Sequence, residues 1–178
     1  MKGVLFKLYE SILEEDFNYN LYHFTTMDKL KSILIDKKIK GNTDPKVSGS
    51  RIFKQHGYPS EGISTTRDKN LHWTGTNVRI VLDKRKLKNR FKIIPLHWFN
   101  MRYNVQGVNY RGWGNKKLTN KEIPMNQAEE RVITQKGIPI DYIEKIELIN
   151  NPQSKPLTQQ DITTIKGFAQ NIPVVDNR

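Results

Sequence analysis

The chain of 178 residues carries 30 lysines and arginines against 18 aspartates and glutamates, a net charge of +12 that points to a polyanionic partner or an anionic cofactor. It contains no cysteine, which excludes disulfides, thiolate metal sites and a cysteine nucleophile. Charged residues interrupt every apolar run, so neither a signal peptide nor a membrane span of roughly 20 apolar residues is expected, and the chain reads as soluble and cytoplasmic.

In chain order, Leu5, Leu8, Tyr9 and Ile12 fall at helical spacing and predict an amphipathic helix within residues 1–19. Leu21-Tyr22-His23-Phe24-Thr25-Thr26 is rich in aromatic and β-branched residues and predicts a strand. Thr25 stands three residues before Asp28, the spacing of a helix capping box. The helix it opens shows Met27, Leu30, Ile33 and Leu34 on one face and is expected to end before Gly41. Residues 44–61 hold two prolines and two glycines and read as a long surface loop.

Ile63-Ser64-Thr65-Thr66 predicts a short strand, and residues 77–82 predict another. Asp83 is placed to cap a short helix through Leu87, and residues 91–96 predict a strand in which Pro95 marks an edge or an end. From Trp98 to Lys121 the chain has no period, but rings, glycines and cations alternate there. Strands are expected again at 129–134 and 145–149, separated by a turn or short helix at 138–143. A last helix starts at Thr158 with Asp161 in the capping-box position; Ile162, Ile165, Phe168 and Ala169 share its face. Strands interleaved irregularly with a few helices make an α+β fold, and the length fits one domain over 1–178, with a core at 20–150 and a helical segment at 151–178.

The residues restrict the chemistry further. His23, His56, His72 and His97 are scattered, with no two at ligand spacing on one element, so no metal site is expected. Glycine-rich phosphate loops and a GxSxG elbow are absent. What remains is an ordered set: Tyr22-His23-Phe24-Thr25, then Ser64-Thr65-Thr66-Arg67, then Gln127-Ala128-Glu129-Glu130. In that order the set resembles the motifs of the ADP-ribosyltransferase-fold superfamily, in its bacterial or phage-type branches: a first-strand histidine, a central Ser-Thr-Ser strand, and a late strand opened by Gln-x-Glu. It mixes features that different branches keep apart, and Glu130 is an alternative to Glu129.

The resemblance implies mixed and antiparallel sheets split around a cleft, flanked by helices, with NAD as co-substrate and no metal. It implies Glu129 as the carboxylate beside the nicotinamide ribose, with Ser64 and His23 completing the catalytic set. Tyr22, His23, Thr25, Ser64, Thr65, Arg67 and Trp73 would hold the dinucleotide. Arg51 is an alternative phosphate-binding or catalytic residue. Acceptor contacts are expected from Tyr110, Arg111 and Trp113, in a segment suited to stacking on exposed bases. The acceptor would be DNA, RNA or a protein. Two other readings stay open: an RNA 2′-phosphotransferase-like enzyme on the same fold, and a non-enzymatic nucleic-acid-binding or phage accessory protein.

Overall fold

The computed structural model describes residues 20–41, 62–70, 75–97 and 128–178, with backbone alone at 94–97 and 128–129. The expected helix at the amino end, Arg51, Trp73 and the whole aromatic segment with Tyr110, Arg111 and Trp113 lie outside these residues. A seven-stranded sheet organises the rest. Its strands are β1 (Asn20–Thr25), β3 (Ile63–Thr66), β4 (Val78–Asp83), β5 (Lys92–His97), β6 (Ala128–Ile133), β8 (Ile143–Ile149) and β9 (Val174–Asn177), in the order β5-β6-β3-β1-β4-β8-β9. A two-stranded sheet pairs β2 (Lys38–Ile39) with β7 (Ile138–Pro139), and a 3-10 turn follows at Ile140–Tyr142. Three α-helices are described: α1 (Met27–Asp36), α2 (Lys84–Lys88) and α3 (Gln159–Ala169).

Every neighbouring pair in the large sheet is antiparallel except β8 and β9. Their parallel pairing follows from the connection between them, which contains α3 and is long enough to return the chain to the same end of the sheet. β5 is the opposite edge, the place in a sheet where a residue without a backbone N–H, here Pro95, is tolerated.

Alternation along the strands divides the sheet into two chemically different faces. On one, Leu21, Ile63, Ile80, Leu82, Val132, Ile146 and Leu148 are fully or almost fully buried. They form one core with Leu30 and Ile33 of α1, Leu87 of α2 and Ile162 and Ile165 of α3. Each such aliphatic side chain contributes about 1.5–3 kcal/mol by leaving water, which is what holds the helices down. The other face carries Tyr22, Ser64, Thr66, Arg79, Arg131, Lys145 and Glu147 at registered positions.

Local chemistry ends the helices at particular residues. Thr26, not Thr25, caps α1: its hydroxyl accepts from the Lys29 amide, because Thr25 is committed to the ladder opposite Val78. Lys37, in the left-handed region at φ 53°, closes α1. Gly41 is needed for another reason. A Cβ there would lie 2.6 Å from the carbonyl oxygen of Gly62, so the backbone touches itself across the ends of segment 42–61. Asp83 caps α2 through the amides of Arg85 and Lys86, and Thr158 with Asp161 forms both bonds of the capping box of α3. Phe168, expected on the inner face of α3, is instead 44% exposed. No helix among the described residues is long and apolar enough to cross a membrane.

Candidate active site

The three chemical segments become neighbouring strands, β6, β3 and β1. Tyr22 pairs with Thr66, and Thr66 pairs with Glu129, so the three backbone positions form one row across the sheet. Strands stand about 4.8 Å apart, which brings positions 22 and 129 within roughly 10 Å. The row marks the single registered pair between β1 and β3, whereas β1 and β4 pair along all six residues of β1. A seam therefore opens beside Tyr22.

His23 stands at that seam. Its register partner is Ile80, on the helix-covered face, yet its Nδ1 lies 2.9 Å from the carbonyl oxygen of Ser64. A side chain thus makes across the seam the kind of bond that the backbone makes elsewhere. Burial holds the imidazole below its ordinary pKa of 6.5, against the raising effect of that carbonyl, with Lys29 lowering it further. A carbonyl can only accept, so Nδ1 of the neutral ring carries the hydrogen and Nε2 presents a lone pair. The ring is set to receive a hydrogen bond from a hydroxyl.

The Ser64 hydroxyl belongs to the other face. It is opposite Arg131, whose Nη1 donates to Oγ at 3.4 Å. With an arginine donating to it, the hydroxyl keeps its own hydrogen to give to an acceptor such as a carboxylate. Gly62 makes room for this arginine. A Cβ there would sit 2.9 Å from Nε of Arg131 and 2.8 Å from the Val132 carbonyl oxygen, at a φ of +153° that favours glycine.

Glu130 is a buried carboxylate. It is 0% exposed, and its Oε1 lies 2.7 Å from Lys84 Nζ and 3.1 Å from Arg67 Nε. Burial pulls the Lys84 ammonium below its ordinary pKa, and Glu130 opposes that shift. Oε2 makes no hydrogen bond among the described residues. Thr65 secures the same residue from β3, donating its hydroxyl to the Glu130 carbonyl at 2.6 Å. Arg67, expected at a phosphate, is only 5% exposed and turns to this carboxylate.

Arg79 links the elements around the seam. It lies over the Tyr22 ring at 5.5 Å, reaches Glu147 Oε2 at 2.6 Å, and donates to the Lys69 carbonyl beyond β3. Burial raises the Glu147 pKa, but hydrogen bonds from Lys145 and Arg79 outweigh it and hold the carboxyl low. Thr25 is buried at the end of β1. The sequence-based reading left out Arg79 and Arg131 as site residues and Lys84 as a partner of Glu130. The available signal was an arginine at an interior position of each of two strands, where a charge requires a partner.

No protein-family model matches the chain, and neither does any curated protein. Among solved structures, the chain is similar to DarT of Thermus sp. 2.9 in complex with NAD+, at a TM-score of 0.52 and 14% identity over 90% of this chain and 96% of that one. The same protein in complex with ADP-ribosylated ssDNA gives 0.51 and 13%, covering 90% and 94%. Its complex with carba-NAD+ gives 0.50 and 12%, covering 90% and 96%. With that strand order and that likeness over nine-tenths of its length, the chain has the ADP-ribosyltransferase fold.

Proposed function

We propose that this protein is an ADP-ribosyltransferase that takes ADP-ribose from NAD and attaches it to a nucleic acid. The observation that carries this reading is the convergence of the three motif segments on adjacent strands around the β1–β3 seam, with positions 22, 66 and 129 in one row. The solved relative is in complex with NAD+ in one structure and with ADP-ribosylated ssDNA in another, which supports both the co-substrate and the class of acceptor.

The residues present fit a dinucleotide rich in hydroxyls. His23, neutral and with an accepting Nε2, suits a ribose hydroxyl. As the nicotinamide–ribose bond breaks, nicotinamide leaves with the bonding electrons and positive charge develops at the ribose carbon. A carboxylate beside that ribose stabilises the charge, and the acceptor nucleophile closes the new bond and releases its proton. Glu130 is enclosed with two cations, so the role falls to Glu129, with Ser64 as hydrogen-bond donor on the same strand pair. Tyr22 and Thr66 would line the seam, and Trp73, Arg51, Tyr110, Arg111 and Trp113 remain the nominees for ring, phosphate and acceptor contacts.

The test is incubation with NAD labelled on its adenylate phosphate, with single-stranded DNA, duplex DNA, RNA and protein offered separately. Released nicotinamide is measured beside the transferred label. Nicotinamide release together with label in a nucleic-acid pool is expected, both abolished by Glu129→Gln. Label confined to the protein pool would move the acceptor. Failure to bind NAD or release nicotinamide in any pool would overturn the enzyme in favour of a nucleic-acid-binding protein.

A further inference from the structure

We infer that α2 and the residues after it hold the phosphate backbone of the nucleic-acid acceptor. Residues 84–92 contain six basic side chains and no acidic one. Lys84 is turned inward to Glu130, while Arg85, Lys86, Lys88, Arg90 and Lys92 are all exposed, Arg85 and Lys86 by 69% and 62% of their side chains. The adjacent acid, Asp83, is largely consumed by the fold. It is buried, its Oδ1 accepts the Arg85 and Lys86 amides, and it stands 3.9 and 3.8 Å from the charged groups of those two residues. One carboxylate in that position leaves a strong local excess of positive charge.

The place of this surface gives the excess its meaning. Lys84 Nζ reaches Glu130 at 2.7 Å, so the first turn of α2 is tied to β6 on the helix-covered face, whereas position 129 belongs to the face of Thr66. From there the chain crosses to Lys92, which pairs with Ile133 at the far end of β6. The exposed cations thus form a track from α2 to the edge strand β5.

The apolar residues of the track choose between polyanions. Leu87 is fully buried in the core, and Phe91 packs edge-on against Tyr142 at 5.6 Å. With both turned inward, and with only five residues of helix, there is no apolar face to enter a lipid surface. A flexible chain of regularly spaced phosphates matches separated cations better than a membrane does.

The proposal deepens the transferase reading by locating its acceptor, but the contact can be measured without NAD. Binding of a labelled single strand of about 20 nucleotides is followed between about 50 and 200 mM salt. The variant combines Arg85→Gln, Lys86→Gln, Lys88→Gln and Arg90→Gln. A second variant makes the same change in charge elsewhere, with Lys29→Gln, Lys136→Gln, Lys155→Gln and Lys166→Gln. Since four contacts at about 0.7 each are lost, the first variant should bind at least about tenfold more weakly at low salt, with a log–log salt slope shallower by about 2–3. The second should stay within about threefold of the parent, because net charge alone steers rather than docks. Thermal unfolding of both variants verifies that each is folded.

Equal losses in both variants, or none in the first, would overturn the proposal. So would competition by polyglutamate, or by vesicles of phosphatidylserine and phosphatidylcholine, as effective as that of unlabelled strand. A parent protein that binds the strand through this track yet releases no nicotinamide would remove the transferase reading and leave the surface standing.

Discussion

β1 meets its two neighbours in different ways. Toward β4 it is paired from Asn20↔Asp83 to Thr25↔Val78 without interruption, and that side continues into the buried ladder with β8. Toward β3 it is paired once, at Tyr22↔Thr66, and the His23 ring takes over beside that pair. The first side is joined by backbone and covered by aliphatic side chains; the second is joined by one backbone pair and one imidazole. A continuous ladder offers a ligand no unsatisfied group, whereas a seam crossed by an imidazole has a polar atom, Nε2, left to engage. The scaffold and the candidate site are the two flanks of one strand.

Five substitutions test that division, taken from the largest expected effect downward. Glu130→Gln leaves Lys84 and Arg67 buried beside a neutral amide, and should cost about 3–5 kcal/mol in urea unfolding. A loss under about 1 kcal/mol would mean that the charge cluster does not brace β6. Glu129→Gln, one residue away, should lower nicotinamide release by about 100-fold or more, with NAD affinity nearly intact and stability within about 0.5 kcal/mol. Inactive Glu130→Gln that is fully folded, beside active Glu129→Gln, would reverse the two assignments.

Gly62→Ala should destabilise by about 1–3 kcal/mol, since its Cβ would meet the Val132 carbonyl and the Arg131 side chain. The contrasting change is Gly167→Ala in α3, where a Cβ meets nothing within 4 Å. That change should stabilise by up to about 1 kcal/mol. His23→Gln is also mild, at about 1 kcal/mol for one hydrogen bond.

The last substitution also carries a pH signature. Burial depresses the folded-state pKa of His23 below 6.5, so its contribution is fully present above that value and is lost as pH falls through the folded-state pKa. Unfolding curves of the parent should show this acid-side decline, and His23→Gln should flatten it. An unchanged pH profile would assign the decline to other groups.

Much of the fold was legible because the strands alternate and the caps are local. The inner face of α1, the Asp83 cap and the Thr158–Asp161 capping box depend only on residues three or four apart. β9 was not legible: its four residues are mostly exposed and show no apolar period, and its place follows from a parallel register with β8. The site was legible as three motifs in order, but not as contacts. Glu129 and Glu130 are indistinguishable in sequence, and only the register reveals that Glu130 is met by cations 46 and 63 positions upstream (130 − 84 and 130 − 67). For the same reason the His23 ring meets the Ser64 backbone and not its hydroxyl.

The contact between Gly41 and Gly62 has an evolutionary reading. Because those two backbones touch, the 20 residues between them (42–61) leave and rejoin the scaffold at one point. A detour with a shared start and finish can lengthen at an entropic cost of only about 0.6 kcal/mol per doubling. The two glycines form a fixed socket immediately ahead of β3. Selection on such a chain can change the length between them while the glycines keep the socket closed.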